Sequence, residues 1–250
     1  LKPEIALWES YGPLFTLEET SVFPPEEEEM SFYRHLRAMH GGTCVELGAG
    51  SGRLAGALGA EGLTVGLEAS RAMLGLWPRR ARGLACRVRG LAQEMPFLDG
   101  SLDMVFLTYN FLHCVPDSRE RRRVLRESAR ILPPGGRLVL EVCPAFALRP
   151  PERPTERYRY GEGGVSLRLV EAVSRNPVAR TITFHMEYSG SAVPPSLGRL
   201  DLTLTLLSAG EVLHEVSGAG FVICSVWGDY DRSPWSCGSS PRLLVLAERK

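Results

Sequence analysis

Val45-Glu46-Leu47-Gly48-Ala49-Gly50-Ser51-Gly52-Arg53-Leu54-Ala55 is the stretch on which the reading of this 250-residue chain turns. Thr43 to Leu47 is short, apolar and β-branched enough for a buried parallel strand, and Leu54 to Leu58 begins a helical pattern. The three glycines therefore fall at a strand-to-helix turn. Such a turn permits positive φ, strips away the Cβ atoms that would hold a ligand off, and presents the unpaired N–H groups of a helix start.

The spacing selects the ligand. A dinucleotide fold calls for G-x-G-x-x-G, whose third glycine packs the helix against its strand beneath a pyrophosphate. This chain has G-x-G-x-G, with Arg53 where that third glycine would stand and Glu46 two residues before Gly48. A carboxylate at the tip of the first strand repels a pyrophosphate but accepts a hydrogen bond from an ammonium group. S-adenosylmethionine has that ammonium and no phosphate. Glu68 closes the run Leu63-Thr64-Val65-Gly66-Leu67, at the expected tip of the second strand, where a carboxylate takes both ribose hydroxyls.

With these residues in place the chain resembles the class I S-adenosylmethionine-dependent methyltransferases. Gly90-Leu91-Ala92-Gln93-Glu94-Met95-Pro96-Phe97-Leu98-Asp99-Gly100-Ser101-Leu102-Asp103-Met104-Val105 is similar to that family's adenine loop and the fourth strand after it. Leu132-Pro133-Pro134-Gly135-Gly136-Arg137-Leu138-Val139-Leu140 is similar to its turn into the fifth strand. The likeness is close over residues 30 to 145 and looser beyond. It implies an α/β, Rossmann-like seven-stranded sheet, mostly parallel with an antiparallel last strand, in the order 3-2-1-4-5-7-6. It also implies a cofactor site of Glu46, Gly48, Ala49, Gly50, Gly52, Arg53, Glu68, Ala69, Met73, Leu91, Ala92 and Thr108. One departure stands out: Leu91 occupies the place where many members carry an acid for the adenine amino group, leaving backbone groups at Ala92 and contact with Ala69 and Met73 to hold the base.

Pro24-Pro25 followed by Glu26 to Glu29 predicts a helix start, with acids in the first turn where the macrodipole favours them, running to about Met39. Strand patterns at 43–47, 63–67, 84–89, 102–108 and 136–142 alternate with helical ones at about 52–60, 70–81 and 118–131, which predicts a parallel sheet covered on both faces. Pro144, Pro150, Pro151 and Pro154 then read as a stiff linker. Val165 to Val173, Ala179 to Tyr188 and Leu200 to Leu207 read as an inserted antiparallel β cap. Ser208-Ala209-Gly210-Glu211 has capping-box spacing for a helix to Ser217, and Val222 to Trp227 with Arg242 to Glu248 form a closing pair. The predicted division is 1–145 for the cofactor-binding core, 146–207 for a cap that encloses the acceptor, and 208–250 for the helix and strands that complete the core.

The formal net charge is zero, which removes any global field that would gather nucleic acid or an anionic membrane. Two arginine clusters remain: Arg79, Arg80, Arg82, Arg87 and Arg89, and Arg119, Arg121, Arg122, Arg123, Arg126 and Arg130. Nothing aromatic interleaves the first, and Glu120, Glu127, Val124, Leu125 and Ile131 make the second an amphipathic sheet-covering helix rather than an RNA stripe. The six cysteines show no C-x-x-C pair, and no run reaches the roughly 20 apolar residues of a membrane helix. A metal-free cytoplasmic protein, monomeric or homodimeric through cap strands, is the expectation.

Methyl transfer from an already activated sulfonium needs alignment and, for a hydroxyl or ammonium acceptor, a base. His113, just after the fourth strand, is one candidate base. His185, on a cap strand with Glu187 on the same face by period two, is the second. Tyr11 and Tyr33 are candidates to shield the sulfonium by cation–π contact. The tail around Gly220-Phe221 and Gly228-Asp229-Tyr230-Asp231 is similar to that of small-molecule methyltransferases, including amino-sugar and glycine-type N-methyltransferases. The expectation is methyl transfer to N or O of a small polar metabolite. The alternatives are a tRNA or RNA methyltransferase and a non-catalytic binding protein of the same fold; a nicotinamide oxidoreductase is disfavoured by G-x-G-x-G and Glu46.

Overall fold

A computed structural model describes residues 3–22, 26–77, 83–144, 153–194 and 198–250. The chain opens with helix α1 (Pro3–Leu17), a wide turn of π-helix (Glu18–Val22) and helix α2 (Glu27–His40). Then come β1 (Cys44–Leu47), α3 (Arg53–Leu58), β2 (Thr64–Glu68), α4 (Arg71–Leu76), β3 (Ala85–Arg89), β4 (Met104–Leu107), a single 3₁₀ turn (Phe111–Cys114), α5 (Ser118–Ile131) and β5 (Arg137–Val142). An insert follows: β6 (Thr155–Glu162), β7 (Val165–Asn176), β8 (Thr181–Ser189) and β9 (Arg199–Thr205). Helix α6 (Ala209–Gly218), β10 (Phe221–Trp227) and β11 (Leu243–Arg249) return to the core.

The main sheet has seven strands in the order β10-β11-β5-β4-β1-β2-β3. β1 to β5 are parallel, and β11 is antiparallel to both β5 and β10. This is the predicted sheet and the predicted strand order. One face packs Val45, Leu47, Val105, Leu107 and Leu138 against α5 and α6; the other packs Cys44, Met104, Phe106 and Val139 against α2 and α3. The chain proceeds outward from β1 through β2 and β3, then restarts beside β1 with β4, so the strand order reverses there and a crevice opens at the carboxyl ends.

The insert forms its own antiparallel sheet, β6-β7-β8-β9, one strand larger than the sequence pattern suggests. β6 escaped notice because Thr155 to Glu162 is mostly exposed and its charged residues break the alternation. α1 escaped for a related reason. Its apolar residues spread over much of the helix surface, Leu7, Trp8, Tyr11, Leu14 and Phe15 against the insert and Ile5 on another side, so no narrow helical stripe shows. The capping box at Ser208 and Glu211 is present as read. Pro24–Pro25, Arg79, Arg80, Arg82, Pro150, Pro151 and the boundary at 145/146 lie outside the described residues.

The arginines of α5 divide. Arg121 is buried, pairs with Glu215 and donates to the carbonyls of Val115 and Pro116. Arg130 holds Glu127, Asp99 and the Phe97 and Met95 carbonyls. Both are committed to tying the helix to its neighbours. No helix among the described residues is long and apolar enough to cross a membrane.

Candidate functional site

β1 ends where the glycine turn begins. Gly48 and Ala49 both donate to the Leu67 carbonyl, at 2.8 and 3.1 Å, which bends the chain across the end of β2. Gly48 has φ 66°, and a Cβ there would lie 2.5 Å from the Phe111 ring. Gly52, with φ 79°, is the more constrained of the two, since its Cβ would sit 2.2 Å from the Trp77 ring. Gly52 therefore seats α3 against α4 and does not itself line the cleft.

Glu68 ties this turn to the next junction. Its Oε2 accepts from Gly50 N–H at 3.0 Å and its Oε1 from Ser70 N–H at 2.7 Å. Ser70 in turn caps α4, accepting from Met73 N–H at 3.2 Å. Burial raises the carboxyl's pKa, and the backbone donors oppose that shift. Ala69 N–H is a further backbone donor to the carboxylate, and Glu68 lines the cleft, where its remaining acceptor capacity faces hydroxyl donors of a ligand.

Glu46 is the deeper carboxylate. Its Oε2 accepts from Ala55 N–H at 2.8 Å, while Thr108 Oγ1 stands 3.5 Å from Oε1. Burial pushes its pKa up to about 8, against the pull of the Ala55 N–H and of Arg53. Arg53 makes a fork onto Glu29, both bonds 2.6 Å, lies 3.6 Å from Glu19, and stacks over the Tyr109 ring at 4.2 Å. Glu19 also accepts from Ser51 Oγ at 2.5 Å. Tyr109 and Asn110 both have positive φ, 55° and 61°, a strained pair that throws Tyr109 outward from the end of β4.

A cleft of about 440 Å³ runs along these groups. Of the residues expected to bind a cofactor, Glu46, Gly48, Ala49, Gly50, Arg53, Glu68, Ala69, Met73, Leu91, Ala92 and Thr108 all line it. Leu91 and Glu94 form a small bridge that presents Leu91, Ala92 and Gln93 as one wall. Sequence reasoning missed Trp8, Phe15, Glu19, Tyr109, Phe111 and Glu120, which also line the cleft. Only Tyr109 and Phe111 carried a signal, their place directly after the fourth strand. The mixture suits S-adenosylmethionine: an apolar slot of Leu67, Met73, Leu91 and Ala92 for a purine, a buried carboxylate for a ribose, and carboxylates beside a cation-tolerant turn for the methionine end.

The candidate bases lie elsewhere. His113 is fully buried, with Nδ1 on the Thr205 carbonyl at 2.5 Å and Nε2 on the Cys143 carbonyl at 2.9 Å. Both ring nitrogens are spent joining the 3₁₀ turn to β9 and to the end of β5, and burial lowers the pKa. His185 sits on the outer face of the insert, bonded to Ser174 Oγ at 2.8 Å and Asp201 Oδ1 at 2.9 Å. Glu187 shares that solvated face, where it pairs with Arg199. Neither histidine lines the cleft, which corrects the expectation for both. The tyrosines are corrected likewise: Tyr33 is buried and donates to Glu141 at 2.5 Å, and Tyr11 donates to Glu18 beneath the insert.

None of the insert's described residues lines this cleft. Its apolar face, with Leu167, Leu169, Met186, Tyr188 and Leu200, instead packs on α1.

A protein-family model described as "Methyltransferase domain" matches residues 45–140. Over 90 residues the chain is 36% identical to a demethylmenaquinone methyltransferase of Bacillus cereus (strain B4264), covering 34% of this chain and 36% of that protein. The chain thus spans about a third of the length of the curated relatives it matches. Among solved structures, the CcbJ methyltransferase from Streptomyces caelestis superposes with TM-score 0.78 at 19% identity, over 96% of this chain and 98% of that one. CalS10, an amino pentose methyltransferase from Micromonospora echinaspora solved with S-adenosylmethionine bound, gives TM-score 0.71 at 19% identity, over 95% and 97%. At those identities the likeness is one of fold, and it extends through the insert.

Proposed function

We propose, from the premise that this chain carries a class I S-adenosylmethionine-dependent methyltransferase domain, that it moves the cofactor's methyl group to N or O of a small polar metabolite. The observation that carries the reading is Glu68, a buried carboxylate at the tip of β2 that already grips the glycine turn and still faces the cleft. It is placed to accept from both ribose hydroxyls. Glu46 faces the ammonium, the glycine turn passes beneath the methionine end, and Leu91 and Ala92 on one side with Ala69 and Met73 on the other hold the adenine.

When bound, the cofactor supplies a methyl carbon activated by the sulfonium. The chain's share is alignment: Thr108, Tyr109 and Arg53 border the methyl end, and Trp8 and Phe15 shield it from water. Glu19 and Glu46 are the carboxylates there that can take a proton released by the acceptor. The amino pentose methyltransferase among the fold relatives supports an amine or hydroxyl acceptor of this size. The acceptor side is formed by α1 and the Tyr109 segment, with the insert behind them.

The test is calorimetric titration of the full chain with S-adenosylmethionine, S-adenosylhomocysteine and NAD, repeated on Glu68→Ala. Micromolar binding of both adenosyl ligands, none of NAD, and loss of binding in the variant are expected. Adenosyl affinity unchanged in Glu68→Ala would overturn the ribose assignment.

A further inference from the structure

α1 lies beside the cleft and packs on α4 and the π-helical turn. Ile5, Trp8 and Phe15 reach the cleft, while Leu7, Tyr11 and Leu14 lie on the insert, against which Trp8 and Phe15 also pack. Its connection to the cofactor-binding core runs through α4. Glu9 accepts from Arg71 N–H at 2.7 Å and from Ala72 N–H at 3.0 Å. These are the first amides of α4, which a helix leaves without partners of its own, and a carboxylate matches the positive end of the helix. Ser70, the cap within α4, reaches only Met73, so Glu9 completes from 62 residues away what the local sequence leaves open. Gly12, one turn further along α1, brings the two helices close, since a Cβ there would meet the Ala72 Cβ at 3.4 Å.

The same junction holds the cofactor carboxylate. Glu68 bonds Ser70 N–H, immediately before the two amides that Glu9 takes. A continuous set of hydrogen bonds therefore runs from the glycine turn through Glu68 and the start of α4 to the helix that covers the cleft. We propose that Glu9 is a cofactor-positioning residue: by capping α4 from α1 it holds Trp8 and Phe15 over the adenosyl group and sets how fast that group leaves. This rests on the reading of the cleft as the S-adenosylmethionine site.

The experiment measures dissociation of S-adenosylhomocysteine from the full chain by stopped-flow for wild type, Glu9→Gln, Glu9→Ala, Trp8→Ala and the Trp8→Ala/Glu9→Ala double variant, with ligand-free melting temperatures alongside. Two charge-assisted hydrogen bonds are at stake, so Glu9→Ala is expected to speed dissociation by roughly 10- to 100-fold. Glu9→Gln keeps one acceptor oxygen and is expected between the two. Because Glu9 and Trp8 act through one helix, the double variant is expected within about threefold of the faster single. A Glu9→Ala protein that melts lower yet releases ligand at the wild-type rate would make Glu9 merely structural and overturn the proposal, as would fully multiplicative effects in the double variant. Should Glu9→Ala not fold, Glu9→Gln decides the matter alone, a wild-type rate in it counting against the proposal. A wild type that binds no adenosyl ligand sinks the cofactor reading itself, and is told apart from failure of the latch because no rate is then observed in any variant.

Discussion

The glycine turn with its two carboxylates and the cover made by α1 with the insert are held together over different distances along the chain. In the core, Glu68 grips residues 2 and 18 positions away, and Glu46 grips one 9 positions away. Between α1, the π-helical turn and the insert, Glu18 takes Tyr188 from 170 positions away and Tyr158 from 140. Tyr11 completes that buried group, and burial beside Glu18 raises the pKa of all three phenols above their usual range. The glycine turn and its carboxylates are thus tied to neighbouring loops, while the cover beside that cleft is assembled from distant parts of the sequence. Local geometry governs the first, and long-range packing the second.

The comparison breaks most visibly at Glu68. Glu68→Ala removes the acceptor of the Gly50, Ala69 and Ser70 amides and of the proposed ribose hydroxyls, and a loss of at least about 100-fold in S-adenosylhomocysteine affinity is expected by calorimetry. Gly52→Ala tests the same turn through packing alone. A Cβ placed 2.2 Å from the Trp77 ring at φ 79° is expected to cost about 2–3 kcal/mol in denaturant-unfolding stability.

His113→Ala separates a structural histidine from a catalytic one. It removes the buried ring that lies between the Thr205 and Cys143 carbonyls, and with it the one N–H a neutral imidazole can donate to them, so about 2 kcal/mol of stability should be lost. Cofactor affinity should stay within about twofold, because the ring does not touch the cleft. A selective loss of affinity would put His113 back among the site residues.

Glu46 adds a pH dependence of known sign. Its pKa of about 8 means that the ligand-free carboxyl is mostly protonated at neutral pH. A bound ammonium favours the carboxylate, so binding releases a proton and affinity rises with pH up to about 8, then levels off. Calorimetry should find an increase on the order of tenfold between about pH 6.5 and pH 8, and Glu46→Gln should flatten it. The smallest effect belongs to His185→Ala on the outer face of the insert, expected within about 0.5 kcal/mol in stability and silent in cofactor binding.

Much of the core was legible because each site residue there is fixed by a strand end or a turn whose pattern is local. Val45 to Ala55, Glu68 and the segment from Gly90 to Ala92 declare their places through periodicity and glycine spacing, and all of them converge on one junction of the sheet. The histidines misled because a residue after the fourth strand can turn toward the crevice or into the protein, and sequence carries no sign of which. Two carbonyls, from Thr205 and Cys143, draw His113 inward. β6 and α1 stayed hidden for a different reason: their apolar residues serve partners that are remote in sequence, so no regular stripe is left to read.

The sequence by itself determined the doubly wound sheet, its strand order by resemblance, and the glycine turn with the carboxylates beside it, because strand, turn and helix signals act over a few residues. Tertiary structure alone decided that Trp8 and Phe15 reach the cleft, that Glu9 caps a helix 62 residues away, and that the insert packs on α1. Those outcomes depend on which buried surfaces and unpaired backbone groups meet once the chain has folded, and neither is written in any local pattern.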